Sequence, residues 1–292
     1  SDLVITDLAF DNPAFRLEKP FPGIITLAPG QSTDVTVRFD STGAGSTSYH
    51  LEEGNLFINS TDPDNPTRTV ELAGVWMEAP ESNNEATVRD LLDVFGYRPT
   101  LTYPGETLRN DGNIEVVGDE ARVVVDGQEV PAFYWQRADP STPVNVEVIA
   151  AFHGQGEATR LQIYDYDYDP ARGAINETAA FINERRVLGV QHDGRDAQSL
   201  LPRKIDTELP AEFSVDIDGP LAFHINGRWS DANKNFEDSH VFRLFPMVGN
   251  DGNVEPNKYI GLFDFIGNYD YQDFIFIASN IEPFAGDDVL IG

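Results

Sequence analysis

The chain of 292 residues has room for two domains with separate cores, and 40% apolar residues with 19 phenylalanines exclude an extended disordered polymer. Its 49 acidic against 20 basic side chains leave a net charge of −29, which repels nucleic acid and anionic membranes. Cysteine is absent, removing disulfides, thiolate zinc sites and cysteine nucleophiles, and no apolar run approaches the ~20 residues of a membrane span.

Residues 1–77 read as short strands separated by turn residues. In "LVITDLAF" the apolar positions are Leu3, Ile5 and, after a slip, Leu8 and Phe10; "STDVTVRF" places Val35, Val37 and Phe39 on one face. "NLFINS" and "TRTVELAGVW" follow, and the pattern predicts an all-β sandwich. The stretch "ITLAPGQSTDVTVRF" followed by "LFINSTDPDNPTRTVELAGV" is similar to bacterial immunoglobulin-like domains of the ASPM–SPD-2–Hydin type, with "LAPG" before one strand and "STDPDNP" between the last two. The resemblance implies an immunoglobulin-like spacer or docking module without catalytic residues.

Residues 78–99 read as a linker and short helix. The polar, proline-bearing "MEAPESNNEA" is the linker, and "EATVRDLLDVFGY" carries a helical stripe of Val88, Leu91, Leu92 and Phe95 that Gly96 stops. From 100 to 284 the β pattern returns, with "ARVVVDGQEVPAFYW" as a hairpin turning at Asp126-Gly127. "VNVEVIAAF", "ATRLQIYD", "FSVDIDGPLAFHINGRW", "HVFRLFPMV" and "YIGLFDFI" complete a jelly-roll-like set, with one further helical segment expected at Glu177–Arg186.

"HVFRLFPMVGNDGNVEPNKYIGLFDF" running into "NYDYQDFIFIASNIEP" resembles a C-terminal β-domain of secreted bacterial surface proteins. Gly286-Asp287-Asp288-Val289-Leu290-Ile291-Gly292 resembles one unit of an RTX calcium-binding repeat, so 285–292 reads as the start of such a repeat. One unit cannot complete that calcium site alone. Both chain ends read as cuts in a longer polypeptide, which would include the rest of an RTX array.

Carboxylates cluster at three places. "YDYDYDP" alternates Asp165, Asp167 and Asp169, which in a strand share one face and repel unless a cation lies between them. Asp264, Asp270 and Asp273 crowd the mouth of the apolar run Phe274 to Ala278, and Asp231 and Asn233 alternate in "DANKNFED". Ca²⁺, which accepts six to eight oxygens in flexible geometry, suits all three; solvated loops, an Asp270 strand cap and an Asp273–arginine pair are the competing readings. Sugar recognition by ring stacking points to Trp229, Tyr166, Tyr168 and Trp135, with Tyr134 and Tyr164 beside them, although core packing is the commoner fate of such rings.

The five histidines, His50, His153, His192, His224 and His240, show no H-x-H or H-E-x-x-H spacing. "FHGQGEA" is a glycine-rich turn without a following helix, and no nucleophile elbow or phosphate loop is present. The expectation is therefore a non-catalytic, calcium-stabilised extracellular or cell-surface module that adheres to a glycan or another surface ligand. A structural spacer of a larger secreted enzyme is the alternative, and an intrinsic glycoside hydrolase the third reading.

Overall fold

The computed structural model describes residues 2–42, 48–79, 85–97, 106–108, 114–116, 129–130, 132–154, 156–165, 168–169, 174–175, 185–236, 239–249, 252–265 and 271–284. The chain is all-β apart from one short helix and two single 3₁₀ turns among these residues, and it divides into two units, Ser1–Ala86 and Thr87–Gly292. No helix among the described residues is long and apolar enough to cross a membrane.

In the first unit β1 (Leu3–Phe10) lies between β3 (Ile25–Leu27) and β5 (Tyr49–Ser60), and β6 (Thr67–Met77) extends the sheet beyond β5. The alternation slip in β1 is a real register shift between Ile5 and Asp7. A separate ladder joins β2 (Phe15–Leu17) to β4 (Val37–Phe39), so Val35 falls outside the strand expected to hold it. Ile5, Phe15 and Leu56 are buried, and the rings of Phe15 and Phe39 meet at 5.4 Å. "STDPDNP" forms the turn from β5 to β6. There Asp62 N–H donates to Ser60 Oγ, and Asp64 N–H donates to Asp62 Oδ1 at 3.0 Å.

The second unit begins with α1 (Val88–Val94), where the Thr87 hydroxyl accepts from Asp90 N–H at 3.2 Å. The helix stops as its glycine requires. Gly96 takes φ +74°, its N–H donates to Asp93 O, and Tyr97 N–H donates to Leu92 O. Val88, Leu91 and Leu92 are buried. A small ladder pairs β7 (Glu106–Leu108) with β8 (Ile114–Val116), and the Asp126-Gly127 turn lies outside the described residues.

Two six-stranded sheets then face each other. The first is ordered β15 (Gln198–Leu200), β10 (Val144–Phe152), β21 (Phe274–Ser279), β20 (Val254–Phe263), β19 (Phe242–Val248), with β16 (Glu212–Val215) also on β10. The second is ordered β14 (Arg185–Gln191), β11 (Arg160–Asp165), β17 (Leu221–Ile225), β9 (Trp135–Arg137), β22 (Ile281–Pro283), with β18 (Arg228–Trp229) on β17. A two-residue ladder pairs β12 (Tyr168–Asp169) with β13 (Ala174–Ile175). The helix expected at Glu177–Arg186 is corrected at its end, because Arg185 and Arg186 begin β14; 176–184 lie outside the described residues.

Alternation decides which side chains fill the space between the sheets. Val144, Val146, Val148, Phe242, Leu244, Phe274 and Phe276 point inward from one sheet, and Leu161, Ile163, Leu221, Phe223 and Ile225 from the other, in one continuous core. The intervening residues of β20 and β21, Ile260, Leu262, Ile275 and Ile277, are buried too. That explains why β21 reads as an unbroken apolar run: both of its faces are covered.

Candidate functional site

A cleft of about 240 Å³ opens in the second unit, lined by His153, Gly154, Glu157, Thr159, Asn226, Phe263, Phe265, Asp273 and Phe274. Its walls come from the end of β10, the turn into β11, the β17–β18 hairpin and the segment between β20 and β21. Asn226 and Gly227 have φ of +46° and +83°, a two-residue hairpin in which His224 faces Trp229 and Ile225 faces Arg228. That turn brings Asn226 to the cleft, where its Nδ2 lies 3.4 Å from Thr159 Oγ1.

Behind the cleft His153 and His192 meet with Nε2 to Nε2 at 2.7 Å. Their partners assign the tautomers. His192 Nδ1 faces the Asp193 carbonyl at 2.8 Å and must donate to it. His192 Nε2 accepts Thr159 N–H at 3.3 Å, so it is the lone pair, and His153 Nε2–H donates to it. The other ring nitrogen of His153, Nδ1, is buried, and a backbone hydrogen bond with Gly154 pulls the pKa of this ring upward. Burial, reinforced by the neighbouring His192, lowers the His153 pKa to about 4 against that pull. Burial lowers that of His192 as well, against the opposing pull of the Asp193 carbonyl and of Asp196 and Asp193. The pair is neutral at pH 7.

Two ion pairs brace the segment beyond His192. Arg195 donates to both carboxylate oxygens of Asp193, and Arg203 donates through Nε and Nη2 to Asp196, both at 2.8 Å. On the opposite wall Asp273 Oδ2 accepts Phe265 N–H at 2.6 Å, which fixes the half-open Phe265 ring, 38% exposed, at the rim.

The residues singled out in the sequence are distributed differently. Asp231 is buried and spent: Oδ2 accepts from Tyr134 Oη–H at 2.5 Å, and Oδ1 accepts from Asn233 N–H. Its neighbour Asn233 is exposed, and the two residues form the cap of a 3₁₀ turn. Asp264, 1% exposed, lies near the Tyr271 phenol and, with Glu129, helps to push its pKa up, the largest cause being burial. Asp273 belongs to the cleft wall instead. Asp264 and Asp273 flank the cross-strand pair Phe263 and Phe274 at the strand mouth, and Asp270 lies outside the described residues. Asp165 ends β11, across from Leu221 and Arg185, and Asp169 is placed with Tyr168 in β12 by its backbone; Asp167 and Tyr166 lie outside the described residues. Among the described residues no group of three or more His, Asp or Glu is arranged to hold a metal.

Trp135 is fully buried against Tyr259, with ring centroids 4.7 Å apart, so it is a core residue with no face for a ligand. Trp229 is half-buried on the outer face of the second sheet. Its ring meets His224 at 4.5 Å and Tyr164 at 4.8 Å, and Lys234 Nζ stands 5.0 Å above it.

Sequence reasoning missed the cleft because its parts have no common spacing. His153 and His192 stand 39 positions apart at the ends of strands in different sheets, and only the sandwich brings them together. The one local signal was Asn226-Gly227, a strong hairpin dipeptide.

Comparison with known proteins adds no identification: no family model, curated protein or solved structure matches the chain.

Proposed function

We propose that the second unit is a non-catalytic glycan-binding module and the first unit a spacer, within a secreted or surface-displayed bacterial protein. The observation that carries this reading is the cleft, which combines an aromatic rim at Phe265 with polar groups from Asn226, Thr159, Glu157 and Asp273. Sugar sites pair a ring that stacks with polar groups that engage hydroxyls. At about 240 Å³ the cleft falls below the roughly 300–1,000 Å³ usual for drug-sized ligands, so it suits one sugar ring. Binding by a single shallow ring is expected to be modest. Asp273 serves as a fixed acceptor for backbone, which favours a recognition role over proton transfer.

A glycan array followed by titration calorimetry tests the reading. Binding by the isolated chain, weakened by Asn226→Ala and Phe265→Ala, supports it. A blank array across plant, algal and animal sugars favours a spacer role for both units. Polysaccharide turnover abolished by Glu157→Gln would establish a hydrolase instead.

Calcium stabilisation belongs to the same proposal and rests on the net charge of −29 and on the alternating Asp165, Asp167 and Asp169. A cation held there would supply charge neutralisation between neighbouring strand ends. Melts in calcium and in chelator at equal ionic strength should differ, since a ligand at 100 times its Kd stabilises by about 2.7 kcal/mol per site. Coincident melts refute a bound metal.

A further inference from the structure

We propose that Asn226 is a site of self-modification, its side-chain amide being converted to a carboxylate with the His224 imidazole as the base. Asn226-Gly227 is the only Asn-Gly step in the 292 residues. A glycine in second place puts no side chain in the way of its own amide nitrogen. Both residues are exposed at the β17–β18 hairpin, where water reaches them. Many hairpins share these features.

What sets this turn apart is the partner of the reacting nitrogen. Gly227 N–H donates to His224 Nε2 at 3.1 Å. The contact assigns the tautomer: Nε2 carries the lone pair, so the imidazole is neutral with its proton on Nδ1. A general base must lie within about 2.6–3.2 Å of the atom whose proton it takes, and this nitrogen does. The fold holds it there. His224 stands in β17, across from Gln162 on β11 and Trp229 on β18, and its ring meets Trp229 at 4.5 Å and Tyr164 at 5.3 Å. In an ordinary turn the peptide N–H must lose its proton to solvent, whereas here the acceptor is already in position.

The step balances without a redox partner. His224 Nε2 takes the Gly227 proton, the amide nitrogen bonds to Asn226 Cγ, and the Cγ–Nδ2 bond breaks. Nδ2, which lies beside Thr159 Oγ1 at 3.4 Å, leaves as ammonia with the proton that the imidazolium returns through water. Water then opens the cyclic imide at one carbonyl or the other, giving aspartate or isoaspartate. Either product puts a negative charge on the cleft wall where Asn226 had a neutral amide. Isoaspartate also lengthens the backbone by a methylene, which the two-residue turn pairing His224 with Trp229 does not accommodate. The cleft therefore changes with the age of the molecule, whatever it binds.

The test is incubation of the full chain at pH 7 over weeks, read by mass-spectrometric peptide mapping and by release of ammonia. A positioned base contributes roughly 10²–10⁴-fold, so aspartate and isoaspartate should accumulate at position 226 at least tenfold faster in the folded chain than in guanidinium chloride. His224→Gln keeps a hydrogen-bond acceptor but takes no proton. It should slow the folded-state reaction at least tenfold while amide spectra report an intact hairpin. A hydrogen bond that only steadied the turn would act in the opposite sense, since its loss would free the Gly227 nitrogen and speed the reaction. An unchanged or faster rate in His224→Gln therefore overturns the proposal. So does a folded chain that reacts no faster than the unfolded one, a comparison that needs no variant. Neither result bears on whether the cleft takes a glycan.

Discussion

Burial sets the protonation of His153 and, through it, the acid limit of the fold. An unfolded imidazole takes its proton near 6.5, whereas the folded His153 takes it only near about 4. A depressed histidine opposes its own protonation in the native state, so its contribution is full above pH 6.5 and is lost as pH falls from there towards 4. Stability should decline over that window by on the order of 3 kcal/mol at 1.36 kcal/mol per unit, with His192 acting in the same direction. Urea unfolding at a series of pH values checks this, and His153→Gln should flatten the slope. A second residue-scale prediction concerns the buried pair Arg243 and Glu129, 2.9 Å apart and each 2% exposed, with the Arg243 guanidinium over the Tyr271 ring. Glu129→Gln strands a buried charge and should cost about 3–5 kcal/mol. Glu129→Leu combined with Arg243→Met should recover most of that loss, and a double-mutant cycle measures the difference.

At the scale of elements, β20 and β21 depend on one close approach. Gly261 lies across from Phe276, and a Cβ on Gly261 would overlap the Phe276 ring. Gly261→Ala should therefore drive that ring out of the core and cost about 3 kcal/mol by denaturant melts, at the upper end of overpacking. A neutral outcome would mean the ring has another place to go. Most of the strands were legible in the sequence, because alternation in β10 and β17 and the apolar run in β21 report directly on covered faces. Arg185 and Arg186 were misread as helical because a short charged stretch has no β periodicity of its own and is drawn into β14 by pairing with β11. Buried Trp135 and Asp231 looked like surface ligands because a tryptophan or aspartate at a strand end carries no mark of what the opposite sheet brings against it.

For the whole molecule the net charge of −29 is the dominant fact. Repulsion among carboxylates weakens the compact state, and monovalent salt relieves it once the screening length drops towards 3 Å near 1 M. The melting temperature should rise steadily with sodium chloride, measured by circular dichroism. A flat response would mean that local ion pairs such as Arg137 with Asp216 and Asp218 already absorb the excess. The two units also invite separate melting. Limited proteolysis should cut between them, in the polar stretch that follows β6, and leave two resistant pieces.

The strand order of the sheet that holds β21 sets a timetable for a chain that emerges N-terminus first. Hairpin β5–β6 joins neighbours in sequence, so the first unit is ready to fold when its last strand appears. The second unit has to wait. β21, at Phe274–Ser279, is the strand between β10 and β20, and without it the sheet has a gap along its middle. Until those residues are released, more than a hundred earlier ones have no completed core and leave apolar surface open to any holding factor. Ending the chain at Asp273 should leave the first unit's amide spectrum intact and collapse the dispersion of the second. Synthesis thus leaves a long interval in which the second unit is pliant, closed by the arrival of a single strand.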